Sequence, residues 1–286
     1  MTFNEKMAEY TDKINGALEK VIKESNEITY RAMAYSLLAG GKRIRPVLVM
    51  ACCEALDGDM ELAQKYACGI EMIHTYSLIH DDLPCMDNDS LRRGRPTNHM
   101  VYGEAQALLA GDGLLNLAAE YISGGSPHNA EKDIKAVFHL FMSSGAMGMI
   151  GGQADDIFAE THEATKELVE KIHHRKTGAL IRASGELGAI AAGAEVDTFR
   201  AYTVHLGLAF QIRDDILDVE ASAEVLGKSN SDADNNKATF VSIYGLEEAK
   251  RRLESETEAA LAALEPLGEK GWFLRELANY LLKRNN

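Results

Sequence analysis

An all-α fold follows from three features of this 286-residue chain. Apolar residues recur at helical spacing over long intervals, and only five prolines, at 46, 84, 96, 127 and 266, interrupt them. No segment shows the β-branched alternation of a strand or a strand–glycine loop–helix unit. Hydrophobic residues make up 46% of the chain, ample for a sizeable core, and the length suits one helical domain over 1–286.

Residues 4–22 carry the first amphipathic pattern. A second covers 28–39 and stops at Gly40-Gly41, because glycine ends helices readily. Pro46 suits the first turn of the helix containing VLVMACCEAL, which closes at the Asp57-Gly58 turn. Residues 60–82 read as one long apolar helix with an acidic pair at its C-terminal end. Pro84 then disturbs the helix, and 88–97 reads as irregular backbone. Helical patterns continue over 100–122, 130–150, 163–192, 195–220 and 245–284. SGGSPHN at 123–129 is a break, and the polar GKSNSDADNNKATF at 227–240 reads as a loop.

The net charge of −14 disfavours nucleic acid and anionic membrane as partners. It leaves room for an anionic small ligand, since a bound cation inverts the local field. Cys52, Cys53, Cys68 and Cys85 lack zinc-site spacing, so reduced thiols of a cytoplasmic protein are expected. The first twenty residues have no basic and apolar leader pattern, and no continuous apolar run is long enough for stable membrane insertion.

Two acidic clusters carry the chemistry. Asp81 and Asp82 end the 60–82 helix, with Asp87 six positions after Asp81 across Pro84. A distorted turn could bring those carboxylates to one mouth, as hard oxygen ligands for magnesium require. Asp214, Asp215 and Asp218 form the second cluster, in which Asp214 and Asp218 share a helix face at i,i+4. Like charges at that spacing repel unless a cation compensates them. The alternative, a solvated acidic face, is weakened by the apolar flanks LAFQI and IL. GGKRIRP places Lys42, Arg43 and Arg45 between a glycine break and a helix start, a setting suited to phosphate. LRRGRP adds Arg92, Arg93 and Arg95, which composition alone would allow as a solvated turn. Lys176, Thr177 and Lys228 stand in settings that by themselves read as surface, while His74 and His80 read as satisfied core or boundary histidines. Gly227-Lys228-Ser229 is not a nucleotide P-loop, and there is no nucleophile elbow.

GGKRIRP, EMIHTYSLIHDDLPCMDNDSLRRGRPTNH, GMIGGQADD, KTG, FQIRDDILD and GK occur in this order. In that set the chain resembles the short-chain trans-prenyl diphosphate synthases, of the bacterial farnesyl diphosphate synthase type, nearly end to end. The resemblance implies an isoprenoid synthase-type helical bundle with a central active-site cavity, formed as a homodimer. It implies three magnesium ions held by Asp81, Asp82 and Asp87 and by Asp214, Asp215 and Asp218, with Asp81, Asp87 and Asp214 as the foremost direct ligands. Arg92, Lys176, Thr177, Gln211 and Lys228 match positions that hold the allylic diphosphate. Lys42, Arg45, His74 and Arg93 match those that hold isopentenyl diphosphate, and Arg284 could approach that second pocket. Lys176, Thr177 and Gln211 would also shield an allylic cation. Tyr76 and Ser77, five and four residues before Asp81, fall where the family sets product length, and an aromatic there implies a fifteen-carbon product. Met72 and Ile73 would line a deeper channel.

Two departures stand out: Asn88-Asp89-Ser90 shortens the usual acidic run, and KATFVS at 237–242 lacks the family's proline while keeping Lys237. A geranylgeranyl diphosphate synthase is the nearest alternative. A terpene cyclase would not need GGKRIRP and His74, a non-catalytic partner subunit would tolerate loss of an acidic cluster, and a purely structural bundle leaves the diphosphate residues unexplained.

Overall fold

The computed structural model describes residues 1–22, 25–162, 165–226 and 239–283. Apart from one two-stranded hairpin, the regular elements described are helical. The chain divides into two compact units, Met1–Leu140 with Leu187–Glu195, and Phe141–Glu186 with Val196–Asn286.

The first unit holds α1 (Phe3–Val21), α2 (Ile28–Leu37), α3 (Ile44–Glu54) and α4 (Met60–Asp81). It continues through β1 (Leu91–Arg92), β2 (Arg95–Pro96), α5 (Asn98–Tyr102), α6 (Glu104–Ser123) and most of α7 (Ala130–Ser144). A capping box between Thr2 and Glu5 starts α1, whose buried Lys6, Tyr10, Ile14 and Leu18 recur every four residues. The Asp59 carboxylate starts α4 by accepting the amides of Glu61 and Leu62, both at 3.0 Å. α4 is buried on nearly every side and packs against α1, α2, α3 and α6, which explains its continuous apolar composition.

Arg43 ties this unit together from the start of α3. Its guanidinium donates to Glu71 of α4 at 2.5 Å, to the Leu37 carbonyl at the end of α2 at 2.8 Å, and to Asn15 of α1 at 3.0 Å. The residue accepts a left-handed backbone (φ 49°) to make these contacts, a conformation unusual for a side-chain-bearing residue.

The second unit contains α8 (Met149–Thr161), α9 (Lys166–Ile172), α10 (Gly178–Ala192, its last turns in the first unit), α11 (Arg200–Leu226), α12 (Phe240–Tyr244), α13 (Leu246–Ala262) and α14 (Trp272–Lys283). Its core joins Leu208, Ile212 and Ile216 of α11 to Phe240, Val241 and Ala249.

Four expected helices are interrupted. The 100–122 helix breaks between α5 and α6 at Gly103, whose φ of 83° is not helical. The 130–150 helix breaks at 145–148 between α7 and α8, so the apolar run Pro127–Thr161, which has the length and composition of a membrane span, is two shorter helices. The 163–192 helix holds a wide π turn at His173–Thr177, in which the Gly178 amide reaches back to the His173 carbonyl. The 245–284 helix breaks at Gly268, whose φ of 52° is not helical. The irregular stretch 88–97 also contains the hairpin, turned by Arg93 (φ 54°) and Gly94 (φ 75°), the pair of positive φ values that a type I′ turn requires.

Glu71→Ala would leave Arg43 charged and buried, and is expected to lower stability by about 3–5 kcal/mol in urea unfolding. The double replacement Arg43→Met, Glu71→Leu should recover part of that loss, because an apolar pair leaves no uncompensated charge.

Candidate active site

In the first unit the C-terminus of α4 delivers three aspartates to one turn. The chain reverses after Asp82, and the Asp87 amide donates to the Asp81 carbonyl at 2.9 Å, so the backbones of the two outer aspartates meet across Pro84. Asp87 is exposed and Asp81 half-buried. Asp82 is turned inward, only 3% exposed, and accepts Arg92 Nε at 2.7 Å. Burial raises its pKa above the ordinary value, against the opposing pull of Arg92.

The basic residues follow the same turns. Arg92, Arg93 and Arg95 border a cleft of about 40 Å³ together with Tyr35, Asp82 and Asn98. Arg93 donates to the Gly40 carbonyl, which brings GGKRIRP beside LRRGRP. Lys42 is exposed, whereas Arg45 Nη1 lies 3.2 Å from His74 Nε2. A guanidinium only donates, so Nε2 accepts and the ring proton belongs on Nδ1. Burial, then the positive fields of Arg45, Arg93, Arg92 and Arg43, hold the His74 pKa well below its usual 6.5.

Tyr76 is 4% exposed, one turn deeper on α4 than Asp81. Its ring meets His80 edge-on with centroids 5.7 Å apart, and its hydroxyl has no hydrogen-bond partner among the described residues. Burial, then the nearby Asp81 charge, pushes its pKa up to about 12. Ser77 donates to the His74 carbonyl at 2.9 Å, while Met72 and Ile73 are fully buried.

In the second unit the π turn supplies the functional backbone. Gly152 of α8 lies so close that a Cβ there would stand 2.3 Å from the Lys176 amide nitrogen, which leaves room only for glycine. Lys176 Nζ pairs with Asp156 at 2.5 Å. The Thr177 hydroxyl donates to Gln211 Oε1 at 2.7 Å, and Gln211 Nε2 donates to Asp215 Oδ1 at 3.0 Å. Asp215 is 4% exposed, and its Oδ2 also meets the Phe240 amide at 2.6 Å and His173 Nε2 at 3.3 Å. Both of its oxygens are therefore engaged within the protein. Asp214 is half-buried on the same helix. Lys228, Lys237, Arg284 and the side chain of Asp218 lie outside the described residues.

The model of the polyprenyl synthetase family matches residues 26–266. The chain belongs to this family. It is similar to the farnesyl diphosphate synthase of Bacillus subtilis (42% identical, covering 100% of this chain and 95% of that one). It is equally similar to the geranylgeranyl diphosphate synthase of Cyanophora paradoxa (44%, covering 96% and 93%). Among solved structures it matches an FPP/GFPP synthase of Zymomonas mobilis with a TM-score of 0.88 at 36% identity, covering 98% of each chain. The fold is accordingly the all-α bundle of the isoprenoid synthases, and the reaction class is head-to-tail prenyl transfer.

Polyprenyl synthetases use Mg2+, and the donors here suit it. Among the described residues no three His, Cys, Asp or Glu side chains form a ready cage. Magnesium seldom needs one: it keeps several waters and binds through one or two carboxylates plus substrate phosphates, a role open to carboxylates at a solvent-facing turn such as Asp81 and Asp87.

Two residues of this site escaped the sequence reading. By sequence alone Asp156 could shape the site or pack beside it, and nothing singles out His173, although it stands three residues before Lys176. Only the π turn, invisible in hydrophobic spacing, shows that His173 points at the second acidic cluster.

The depressed pKa of His74 has a consequence for stability. The unfolded chain takes up a proton near pH 6.5 and the folded protein resists it, so the contribution is full above that pH and is lost below it. Urea unfolding between about pH 8 and about pH 5 should show stability falling on the acid side by up to about 1.4 kcal/mol per pH unit more in wild type than in His74→Gln. Parallel curves would mean that His74 takes up its proton equally in both states.

Proposed function

We propose that this protein is a magnesium-dependent farnesyl diphosphate synthase, acting as one catalytic domain and a homodimer, which condenses dimethylallyl or geranyl diphosphate with isopentenyl diphosphate. The observation that carries the product assignment is Tyr76, a buried aromatic one turn beneath Asp81, with Met72 and Ile73 behind it. Exposed apolar side chains support the homodimer: Leu108, Leu109 and Phe138 in the first unit, and Met147, Ile157 and Phe158 in the second.

In this reading Asp81, Asp87 and Asp214 are direct metal ligands, together with Asp218. Asp82 and Asp215 act by holding their neighbours, since Arg92 engages the first and Gln211, His173 and Phe240 engage the second. When bound, magnesium would neutralise the charge that builds on the departing diphosphate. Arg92, Lys176 and Lys228 hold the allylic diphosphate, with Lys176 exchanging its Asp156 partner for a phosphate oxygen. Lys42, Arg45 and Arg93 hold isopentenyl diphosphate, and neutral His74 orients Arg45.

As the allylic C–O bond breaks, its electron pair leaves with pyrophosphate. Thr177 is suited to face the resulting cation. Its one hydroxyl proton is directed to Gln211, which leaves its oxygen lone pairs for positive charge. The double bond of isopentenyl diphosphate then supplies the pair for the new C–C bond, and a proton departs to restore a double bond, with pyrophosphate as acceptor. No side chain has to serve as a strong base.

Purified protein with magnesium, isopentenyl diphosphate and either starter should accumulate a fifteen-carbon diphosphate. Tyr76→Ala should lengthen the product. Tyr76→Phe should preserve both product length and stability, since it removes a hydroxyl that has no partner among the described residues. The similarity to geranylgeranyl diphosphate synthases supports a second reading with a twenty-carbon product. A twenty-carbon wild-type product would keep the reaction and remove Tyr76 as the floor; no condensation with either starter would remove the reaction.

A further inference from the structure

Asp215 and His173 lie behind the residues that would face the substrate, and the hydrogen bonds that end on Asp215 have a direction. Asp215 is met from three elements: Gln211 one turn earlier on α11 and the amide of Phe240 at the start of α12 donate to it, and His173 Nε2 at the start of the π turn stands 3.3 Å from its Oδ2. A buried carboxylate can only accept, so the Gln211 amide must present its NH2 group to it. That choice turns Gln211 Oε1 toward Thr177, and the Thr177 hydroxyl must then donate. The polarity therefore runs one way, from Thr177 through Gln211 to Asp215.

His173 holds the closed end of this chain. Its ring is 5% exposed, stacks on Phe240 with centroids 6.2 Å apart, and directs Nε2 at Asp215. Its other nitrogen has no hydrogen-bond partner among the described residues. The histidine's polar contact is thus the one with Asp215, at the opposite end of the network from Thr177.

We propose that His173 and Asp215 are positioning residues that fix the hydrogen-bond polarity of Gln211 and Thr177, so that Thr177 offers lone pairs instead of a proton to the reacting allylic group. This rests on the proposed condensation. Such a device acts on the transition state, where positive charge appears, and leaves ground-state binding of the diphosphate nearly untouched.

Asp215→Asn separates polarity from shape. Its nearly isosteric amide can donate to Gln211, which permits the Gln211 amide and the Thr177 hydroxyl to reverse. His173→Leu removes the polar contact to Asp215 while keeping bulk, and His173→Gln returns a polar group close to the position of Nε2. The measurements are kcat, both KM values, magnesium half-saturation, metal-free thermal midpoints, and calorimetric affinity for a non-ionising allylic thiolodiphosphate with magnesium. Asp215→Asn and His173→Leu should lose about 10- to 100-fold in kcat. Analogue affinity and magnesium half-saturation should stay within about twofold of wild type, a ground-state match expected when only transition-state stabilisation is lost. His173→Gln should regain most of the loss.

An analogue affinity or magnesium requirement that worsens in step with kcat would make Asp215 a ligand and overturn the proposal. Equal losses in His173→Gln and His173→Leu, or an unchanged kcat in Asp215→Asn, would overturn it too, while leaving the condensation in place for a wild type that still makes product. A wild type that neither condenses nor binds the analogue would overturn both.

Discussion

A charge withdrawn from water inside a helical bundle has to be met by other parts of the protein, and this constraint organises each unit. Stranding a charged group in the interior costs several kcal/mol, so its neighbours must arrive in a defined geometry. In the first unit the buried charge is Arg43, which gathers α1 and the end of α2 onto α4 through Asn15, Leu37 and Glu71. In the second it is Asp215, which gathers α11, α12 and the π turn. Neither contact stands out as chemistry in itself. Each holds the segment that bears the candidate chemistry: GGKRIRP beside Arg43, and Lys176-Thr177 beside Asp215.

Helix ends recur as the places where functional side chains emerge. Asp81 and Asp82 mark the end of α4, and the turn that follows reverses direction within a few residues. Lys176 and Thr177 emerge where α9 passes through a wide π turn into α10, a distortion common at functional sites. The helix interiors supply the rigid apolar support, and their interruptions release the backbone and side-chain groups that a polyphosphate would engage. Pairs of adjacent aspartates divide the labour in both units: Asp82 and Asp215 turn inward to Arg92 and to Gln211, while Asp81 and Asp214 remain partly open to solvent.

The helices and their stops were largely legible before any coordinates. Gly40-Gly41, Pro84 and SGGSPHN fall at the breaks their chemistry implies, and Asp81 and Asp82 close α4 as the 60–82 pattern predicts. The interruptions that helical spacing does not reveal, at Gly103, at 145–148, at His173–Thr177 and at Gly268, have a common cause. An apolar stripe can run through a π turn or a tight reversal without losing its spacing, because the flanking helices still need a buried face.

The sequence by itself determined the fold class, through periodicity, and the acidic and basic clusters, through residue chemistry at short range, while the ordered motifs assign candidate roles only through their resemblance to the family. The tertiary structure decided which member of each acidic pair is consumed internally, why Gly152 must lack a side chain, and that His173 faces Asp215 across 3.3 Å. Those contacts join residues distant in the chain or separated by a distorted turn. Their direction is set by which donors meet a buried carboxylate once the helices have packed, a property of the assembled interior that no local pattern encodes.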